Sequence, residues 1–201
     1  MNPKVASLFW GLAGAALVVS VAALVISAIS PKCSHDSHSR PVVINNLKNL
    51  VLLLSDQVQT KKAWPEYSGP AFALSLVATG AVDSRRVDNL RVFWPDGEFP
   101  PGLDVERYAK ITSEGLSRGD FNDLTSLAGR RNTDPRYRLE TSEADVPEPI
   151  LGWRYGKFVV LGFTDGSTQF FTQRGLGLAE GDPVVFGEAS KSELLRGLSE
   201  D

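Results

Sequence analysis

A long stretch without a charged side chain, at residues 5–30, constrains this chain more than any other feature. Its sequence is VASLFWGLAGAALVVSVAALVISAIS. At about 1.5 Å per residue in a helix, the stretch is long enough to cross a hydrocarbon core of about 30 Å. The sequence therefore predicts that residues 1–30 form an uncleaved transmembrane anchor.

Two cleaved export signals are the alternatives to an anchor. A secretory signal peptide usually has a shorter apolar region and ends in a small-x-small site, which Ala28-Ile29-Ser30 nearly fits. Pro31 would follow the cut, which disfavours processing. A lipoprotein signal needs small apolar residues before its cysteine, whereas Pro31 and Lys32 precede Cys33.

The charges that flank the apolar stretch do not fix its orientation. Lys4 and the terminal amine precede it, and Lys32 and Arg40 follow it, so the positive-inside rule gives nearly a tie. Because a very short N-terminal tail usually stays inside, we expect the following domain to lie outside the cytoplasm.

Small residues at alternating spacings of three and four share one face of the predicted anchor. They are Ala13, Ala16, Ser20, Ala23 and Ser27. Small side chains let helices approach closely in lipid, so this face could pack against another transmembrane helix or a second copy. The alternative is that small residues are simply common in such spans, and the sequence does not separate the two.

Residues 31–41, PKCSHDSHSRP, are polar and bounded by prolines, which predicts a short linker or helix break. Cys33, His35 and His38 lie close together there, and thiolate and imidazole are good ligands for zinc or copper. Their spacing matches no standard structural zinc pattern, so a plain linker with a free thiol is the favoured interpretation. A metal-binding or redox-responsive membrane protein is the alternative function, and it requires metal content to disappear when all three become serine.

Residues 42–201 are predicted to form the folded domain. An amphipathic helix over 42–62 has its apolar stripe at Ile44, Leu47, Val51, Leu54 and Val58, widened by Val43, Leu50 and Leu53. A second helix is expected over 71–80, closed by Gly80. The patterns also predict a strand in 89–98, a strand early in 121–139, a hairpin in 153–173, a strand at 184–186 and a closing helical turn capped by Ser190 or Ser192. This order predicts an α+β fold with an antiparallel sheet packed on the long helix.

Composition excludes several classes of function. A net charge of −3 gives no footprint for nucleic acid, and one cysteine allows no internal disulfide. Residues 42–201 contain neither histidine nor cysteine. Glu143, Asp145 and Glu148 cluster in an exposed stretch, and Arg130-Arg131 could hold an anion but more often such residues form surface ion pairs. No nucleophile–base pair is visible, so an enzyme is not expected and no cofactor is implied.

Several short motifs carry a resemblance to a known family. They are INNLKNLVLLLSDQV (44–58), YSGPAFALSLVATGAVD (67–83), DNLRVFWPDGE (88–98), TSLAGRRN (125–132), VVLGFTDGSTQFF (159–171) and GDPVVFG (181–187). With them, the chain resembles the type IV pilin and type II secretion pseudopilin superfamily of bacteria. The resemblance implies a pilin-like fold, in which the helix after the anchor lies across a small antiparallel sheet. It also implies an inner-membrane protein with a periplasmic domain and with secretion- or pilus-type subunits as partners.

The chain departs from that family at its N-terminus. The family's apolar helix usually begins with a Gly-Phe-Thr-Leu-Ile-Glu-like processing site, whereas the equivalent stretch here is VASLFWGLAG. A prepilin peptidase would have nothing to recognise, and the acidic residue that registers neighbouring filament subunits is missing. The resemblance therefore supports the fold more than it supports membership of a filament.

The hairpin turn at Asp165-Gly166 has two interpretations. Asp-Gly between apolar runs is a strong two-residue turn pattern, because both positions can take positive φ. Some pseudopilins hold calcium near this point, but calcium needs several converging oxygen ligands and Asp165 is the only carboxylate close by in sequence. Glu180 and Asp182 could approach from the next loop. The plain turn is favoured.

The function expected from these observations is a membrane-anchored structural or assembly subunit that acts through protein–protein contacts. The small-residue face and the aromatic residues Trp64, Tyr67 and Trp94 are candidate contact surfaces, although each aromatic is more often a core residue.

Overall fold

A computed structural model of the chain describes residues 35–94, 96–139, 146–155 and 158–201. The α-helices are α1 (His35–Lys61), α2 (Pro70–Ala78), α3 (Val87–Leu90), α4 (Ser113–Arg118) and α5 (Glu193–Arg196). The strands are β1 (Ala128–Arg130), β2 (Pro149–Tyr155), β3 (Phe158–Phe163), β4 (Thr168–Thr172) and β5 (Leu198–Ser199). Short 3₁₀ turns lie at Arg91–Phe93, Val105–Lys110, Asn122–Leu124 and Arg174–Leu176.

The predicted anchor and its small-residue face lie outside the described residues. Within the described part of the chain, no helix combines the length and the apolar character that crossing a membrane requires. The sheet and the helical residues from Ser39 onwards belong to one compact unit, Ser39–Asp201.

The strands form one antiparallel sheet in the order β4-β3-β2-β1-β5. Strands β2, β3 and β4 are a meander, with Tyr155 opposite Phe158 and Val160 opposite Phe170. Strand β1 lies between β2 and the short β5. The predicted α+β class with an antiparallel sheet is therefore confirmed.

Helix α1 packs across one face of this sheet. Val43, Leu47, Leu50 and Leu54 are almost fully buried, so the centre of the apolar face is rotated slightly from the predicted stripe, in which Ile44 and Val58 are only half-buried. The helix approaches β3 closely because Gly162 has no side chain. A Cβ at that position would lie 2.3 Å from Val51 Cγ2.

Helix α1 begins at His35, not at residue 42, so the prediction of a non-helical stretch was wrong for residues 35–41. Pro41 lies inside the helix. Proline cannot donate to the carbonyl four residues before it, so the ladder of α1 lacks one hydrogen bond at this point.

The opposite face of the sheet is covered by the C-terminal part of the chain. Leu176, Leu178, Phe186, Leu195 and Leu198 form a second core with Val159 and Leu161 of β3. The ring of Phe186 lies against Gly152 of β2, where a Cβ would be only 2.7 Å from Phe186 Cε1. The predicted strand at 184–186 was wrong, because Phe186 packs onto the sheet face rather than pairing at its edge.

Residues 89–93 of the predicted strand 89–98 are helical instead. Leu90 ends α3 and Phe93 ends the following 3₁₀ turn, and both side chains are fully buried. Residues three apart share a helix face, whereas a strand would point them to opposite sides. The predicted strand in 121–139 starts later than expected, because a 3₁₀ turn at Asn122–Leu124 precedes β1.

Three local predictions are confirmed. Helix α2 runs from Pro70 to Ala78, and Gly80 follows it with a φ of +77°. The β3–β4 hairpin forms, although residues 153–155 of its predicted first arm belong to the separate strand β2. The closing helical turn is α5, with Ser192 at the N-cap position, although neither predicted serine makes a capping hydrogen bond through its side chain.

We expect the stability of the domain to fall at alkaline pH because of Tyr108. Its buried hydroxyl donates to the Leu124 carbonyl and accepts from Trp94 Nε1 at 3.0 Å. Burial raises the pKa of Tyr108 to about 12 from its ordinary value of 10.0. The folded state thus holds the proton more tightly than the unfolded state. This contribution, about 2–3 kcal/mol, is complete below about pH 10 and is lost as the pH approaches 12.

Urea unfolding of the wild type and of Tyr108→Phe across this pH range tests the prediction. The variant should lose about 1–2 kcal/mol at neutral pH, because the Leu124 carbonyl and the Trp94 N–H lose their partner. Its stability should then fall less steeply above pH 10 than that of the wild type. Equal slopes in the two proteins would assign the alkaline loss to other groups.

Candidate functional site: a groove beside the long helix

A groove of about 800 Å³ lies between α1 and the chain segment 81–97. We call it the helix groove. Its lining on α1 consists of Val42, Asn46, Asn49, Leu52, Leu53 and Asp56. The opposite wall includes Val82, Asp88, Asn89, Arg91, Val92 and Gly97.

The wall on α1 is a regular stripe of the helix surface. Val42, Asn46, Asn49, Leu53 and Asp56 follow one another at spacings of four and three, which places them on one side of the helix. At 1.5 Å per residue the stripe is about 21 Å long. A surface of this length matches about four turns of a second helix or a short extended peptide.

The opposite wall is held by contacts that do not involve α1. The Arg91 guanidinium lies 3.5 Å from Asp88 and donates to the Gly97 carbonyl at 3.0 Å. Gly97 N in turn donates to the Trp94 carbonyl at 2.7 Å. Leu90 and Phe93 are fully buried beneath this wall and fix it to the core. The groove is therefore formed without a ligand.

Aliphatic side chains give the groove its apolar character. Val82 is buried at its base, and Leu53 and Val92 are half-buried. Val42 and Leu52 are exposed to 43% and 49%, so they add apolar surface to the α1 wall of the groove. Exposed apolar surface with a polar rim is typical of a binding surface.

The ionisable groups of the groove leave a negative charge. Asp88 and Arg91 neutralise each other, because their side chains are 3.5 Å apart. Asp56 is exposed and has no ion-pair partner within the described residues. A partner with a basic side chain would be complementary to this end of the groove.

The predicted metal ligands of the linker are only partly described. Cys33 lies outside the described residues, and only the backbone positions of His35 and His38, in the first turn of α1, are described. Across the part of the chain that is described, no three His, Cys, Asp or Glu residues come together as a metal site would require. The Cys33–His35–His38 site stays a prediction.

Asp165 acts within the β3–β4 turn. Its Oδ1 accepts a hydrogen bond from Ser167 N at 2.9 Å, and hydrogen bonds from Ser167 lower the pKa of the Asp165 carboxyl. Gly166 has a φ of +85°, whereas Asp165 does not have positive φ. The two-residue turn with two positive φ values was therefore wrong. Gly166 N donates to the Phe163 carbonyl and Phe163 N to the Ser167 carbonyl, which is a three-residue loop with glycine in the left-handed position.

Asp182, considered as a second calcium ligand, is used within its own loop. Its carboxylate accepts from Lys191 Nζ at 2.6 Å and from Ala179 N at 3.0 Å. These hydrogen bonds, with that of Lys191 the strongest, lower the pKa of Asp182. Both oxygens therefore have protein donors.

Arg130 does not lie at the surface, contrary to the expectation of a surface ion pair. Its guanidinium donates to the carbonyls of Tyr137 at 2.6 Å and Pro149 at 3.0 Å, and to the Glu148 carboxylate. Arg131 pairs with Asp134 at 3.0 Å. Glu143 and Asp145 lie outside the described residues.

The aromatic residues considered as contact surfaces are packed against the core. Trp64, Tyr67 and Trp94 are all half-buried and contact the main apolar cluster. Trp64 stacks on Phe72 with ring centroids 6.3 Å apart. The residue types favoured a core role for these three side chains, and their packing agrees with that role.

Sequence reasoning missed the helix groove. Asn46 and Asn49 lie outside the apolar stripe that the sequence predicted for α1, and Arg91 lies within the predicted strand 89–98. Leu52 was the available indication, because it interrupts the polar side of the helix with a large aliphatic residue. The second wall could not be found, since it depends on the helical turns at 87–93.

Comparison of the chain with protein-family models, with curated proteins and with solved structures gives no match. The pilin resemblance therefore stays a prediction that rests on the quoted sequence motifs.

Proposed function

We propose that this chain is a membrane-anchored, pilin-like assembly subunit that works through protein–protein contacts outside the cytoplasm. The helix groove is the observation that carries the proposal, because it is formed in the free domain, is apolar at its base and has a polar rim. The apolar stretch 5–30 supplies the anchor. A long helix laid across an antiparallel sheet also agrees with the architecture that the resemblance implies.

The proposed occupant of the groove is a segment of another subunit in the same membrane. Its apolar side chains would cover Val42, Leu52 and Leu53, and a lysine or arginine would pair with Asp56. The length of the α1 stripe, about 21 Å, fits a helix of about fourteen residues from that subunit. A partner helix that binds through apolar side chains at helical spacing requires no catalytic group in the groove.

The missing processing site shapes the kind of assembly that we propose. Without a Gly-Phe site or an acidic residue in the apolar stretch, the chain would keep its anchor and would not depend on prepilin peptidase. It would act as a membrane-held component of a secretion- or pilus-type complex rather than as the repeating unit of a filament.

Photo-crosslinking in native membranes tests the groove directly. A photoreactive amino acid replaces Asn49, which lines the groove, or Lys48, its exposed neighbour, which is not part of the lining. We expect a defined adduct with one partner from position 49, because that side chain would face the bound segment. Position 48, about 100° further round the helix, should give none.

The two positions act as a matched pair, since both are exposed on the same turn of α1. The same adducts from both positions would indicate non-specific proximity, and no adduct from position 49 would contradict the proposal. Peptide mapping of the adduct then shows whether the captured segment carries the expected basic residue.

A further inference from the structure

Strand β4 is an open edge of the sheet. It stands first in the order β4-β3-β2-β1-β5 and pairs with β3 alone. The strand at the other edge, β5, has only two residues, whereas β4 has five, from Thr168 to Thr172. An edge of this length can template a further strand.

The backbone groups of every second residue of β4 face away from the sheet. Phe163 N donates to the Ser167 carbonyl at 2.9 Å, so the ladder hydrogen bonds between β3 and β4 begin at this pair. Hydrogen-bonded pairs alternate along an antiparallel ladder, which turns the N–H and C=O groups of Thr168, Phe170 and Thr172 outwards. Within the described part of the chain, nothing hydrogen-bonds to these outward groups.

Strand β4 lacks the features that usually protect an edge. Charged side chains, prolines and bulges commonly prevent edge strands from pairing with another chain. The sequence of β4 is TQFFT, without a charge or a proline, and its register against β3 is continuous. An unprotected edge with free backbone donors and acceptors indicates a surface for strand pairing.

The sequence of β4 is nearly symmetric about Phe170. A second β4 that runs antiparallel, with Phe170 at the centre, places Thr168 opposite Thr172 and Gln169 opposite Phe171. The three outward residues of each strand then face each other in three pairs that exchange two hydrogen bonds each, about six in all. Facing threonines and facing aromatic rings also stabilise an antiparallel pair.

The charges at the two ends of β4 are complementary in this register. Asp165 precedes the strand and Arg174 follows it, both are exposed, and neither has an ion-pair partner among the described residues. Antiparallel pairing brings Asp165 of each copy towards Arg174 of the other, so the attraction occurs twice. Arg40 lies closer to the ring of Phe158 on β3, at 4.4 Å, than to that of Phe170, at 5.9 Å, and so it lies on the inner side of the edge.

We propose that β4 pairs antiparallel with β4 of a second copy of this chain, with Phe170 at the two-fold axis. The two sheets then continue into each other across the pair. This contact goes beyond the assembly function proposed above and does not depend on the membrane anchor. Strand β4 contributes no residue to the lining of the helix groove, so a copy that is paired at β4 keeps the groove residues for another subunit.

Disulfide crosslinking between two tagged forms of the full chain tests the register. One form carries Thr168→Cys and the other Thr172→Cys, both in a Cys33→Ser background, and the mixture is treated with a mild oxidant. In the proposed register these positions face each other with Cα atoms about 5.5 Å apart, which a disulfide can bridge. The same position in the two copies is about 14 Å apart, which a disulfide cannot bridge.

We expect the 168–172 crosslink to exceed both same-position crosslinks at least about tenfold, because only that pair is within reach. Dominant 168–168 and 172–172 crosslinks would show parallel pairing and overturn the proposal. Equal amounts of all three products would show random collision, which also contradicts it. A crosslink in native membranes to a different protein, without the 168–172 product, would assign the edge to that protein instead.

Thr168→Pro and Thr168→Val form a matched pair that tests the hydrogen bonds. Proline removes an N–H group that faces outwards, so the ladder with β3 keeps its own bonds, whereas valine retains the N–H. We expect proline to raise the dissociation constant of the dimer at least about tenfold, because the contact occurs twice across the axis, and valine to leave it nearly unchanged. Dissociation constants are measured by light scattering of the full chain in detergent, and circular dichroism checks that each variant is folded. Equal self-association of the two variants would overturn the proposal.

Discussion

Replacement of Gly129 by alanine is expected to lower the free energy of unfolding by about 3 kcal/mol, near the upper end of the usual cost of overpacking. Gly129 is the middle residue of β1, and a Cβ there would lie 1.9 Å from the Gly69 carbonyl oxygen and 3.0 Å from Phe72 Cβ. The obstacle is backbone rather than the end of a flexible side chain, so a rotamer change cannot relieve it.

The Gly69 carbonyl cannot move without further loss. It accepts the hydrogen bond from Phe72 N at 3.0 Å that begins α2, and Gly69 N donates to the Arg130 carbonyl at 3.1 Å. A shift that makes room for the new methyl group would break the contact between α2 and β1. Gly129→Ala therefore destabilises both the sheet at β1 and the start of α2.

Urea unfolding of the full chain in detergent, followed by circular dichroism, measures this effect. Gly175→Ala is the matched control, because Gly175 is exposed and its Cβ would meet Thr172 Oγ1 at an ordinary 3.5 Å. The control should change stability by no more than about 0.5 kcal/mol. Equal effects of the two substitutions would show that β1 does not pack against α2 as described.

Replacement of Arg130 by methionine is expected to cost a similar amount, about 3 kcal/mol. Arg130 is 6% exposed and its guanidinium donates to the buried Pro149 carbonyl, to the partly buried Tyr137 carbonyl and to Glu148. Methionine fills much of the same space but leaves the carbonyls of Tyr137 and Pro149 without their donor. Each buried carbonyl without a partner costs about 1–3 kcal/mol.

The charge of Arg130 is retained despite its burial. Desolvation lowers the pKa of Arg130, and the neighbouring Glu148 carboxylate opposes this shift. Because the Glu148 side chain is 42% exposed, water can stabilise it after the substitution, and most of the loss should come from the carbonyls.

Arg136→Met is the control for the loss of an arginine at the surface. The Arg136 side chain is 65% exposed and pairs with Asp134 and Glu188. Surface ion pairs contribute about 0–1 kcal/mol, so thermal or urea unfolding should show a much smaller change than for Arg130→Met. If Arg130→Met were as mild as the control, the hydrogen bonds assigned to Arg130 would not stabilise the fold.

The elements that the sequence predicted well are those with strong local patterns. Helix α2 is apolar throughout and is bounded by Pro70 and Gly80, and the hairpin is marked by Asp165-Gly166. Their boundaries are set by backbone conformations that these residues favour wherever they occur. These two elements could therefore be predicted without knowledge of tertiary contacts.

The wrong predictions share a dependence on distant contacts. Residues 89–94 satisfy both a strand and a helical pattern, and burial of Leu90 and Phe93 together decides for helical turns. The sequence around Phe186 also fits a strand. The structure differs because the Phe186 ring packs on the sheet face at Gly152, which has no side chain. Short apolar runs do not separate these possibilities by periodicity.

The candidate site was outside the reach of sequence reasoning for the same reason. The helix groove is lined by residues from 42–56 and from 81–97. The sequence pattern of neither stretch predicts that it lies beside the other. The burial of Arg130 likewise depends on Pro149, which is distant in sequence. Only Leu52, a large aliphatic residue outside the predicted apolar stripe of α1, was a local indication of the groove.

Isolation of the full chain from its native membranes in a mild detergent tests the assembly function most directly. The mass of the particle and the identity of the proteins in it are measured for the wild type, for Leu52→Glu in the groove, and for Gln59→Glu, an exposed position on α1 outside the lining. We expect stoichiometric partners with the wild type and with Gln59→Glu, and their loss with Leu52→Glu, because a charge would be buried in the apolar contact. A wild-type chain that emerges alone as a monomer would contradict the proposal that it is an assembly subunit.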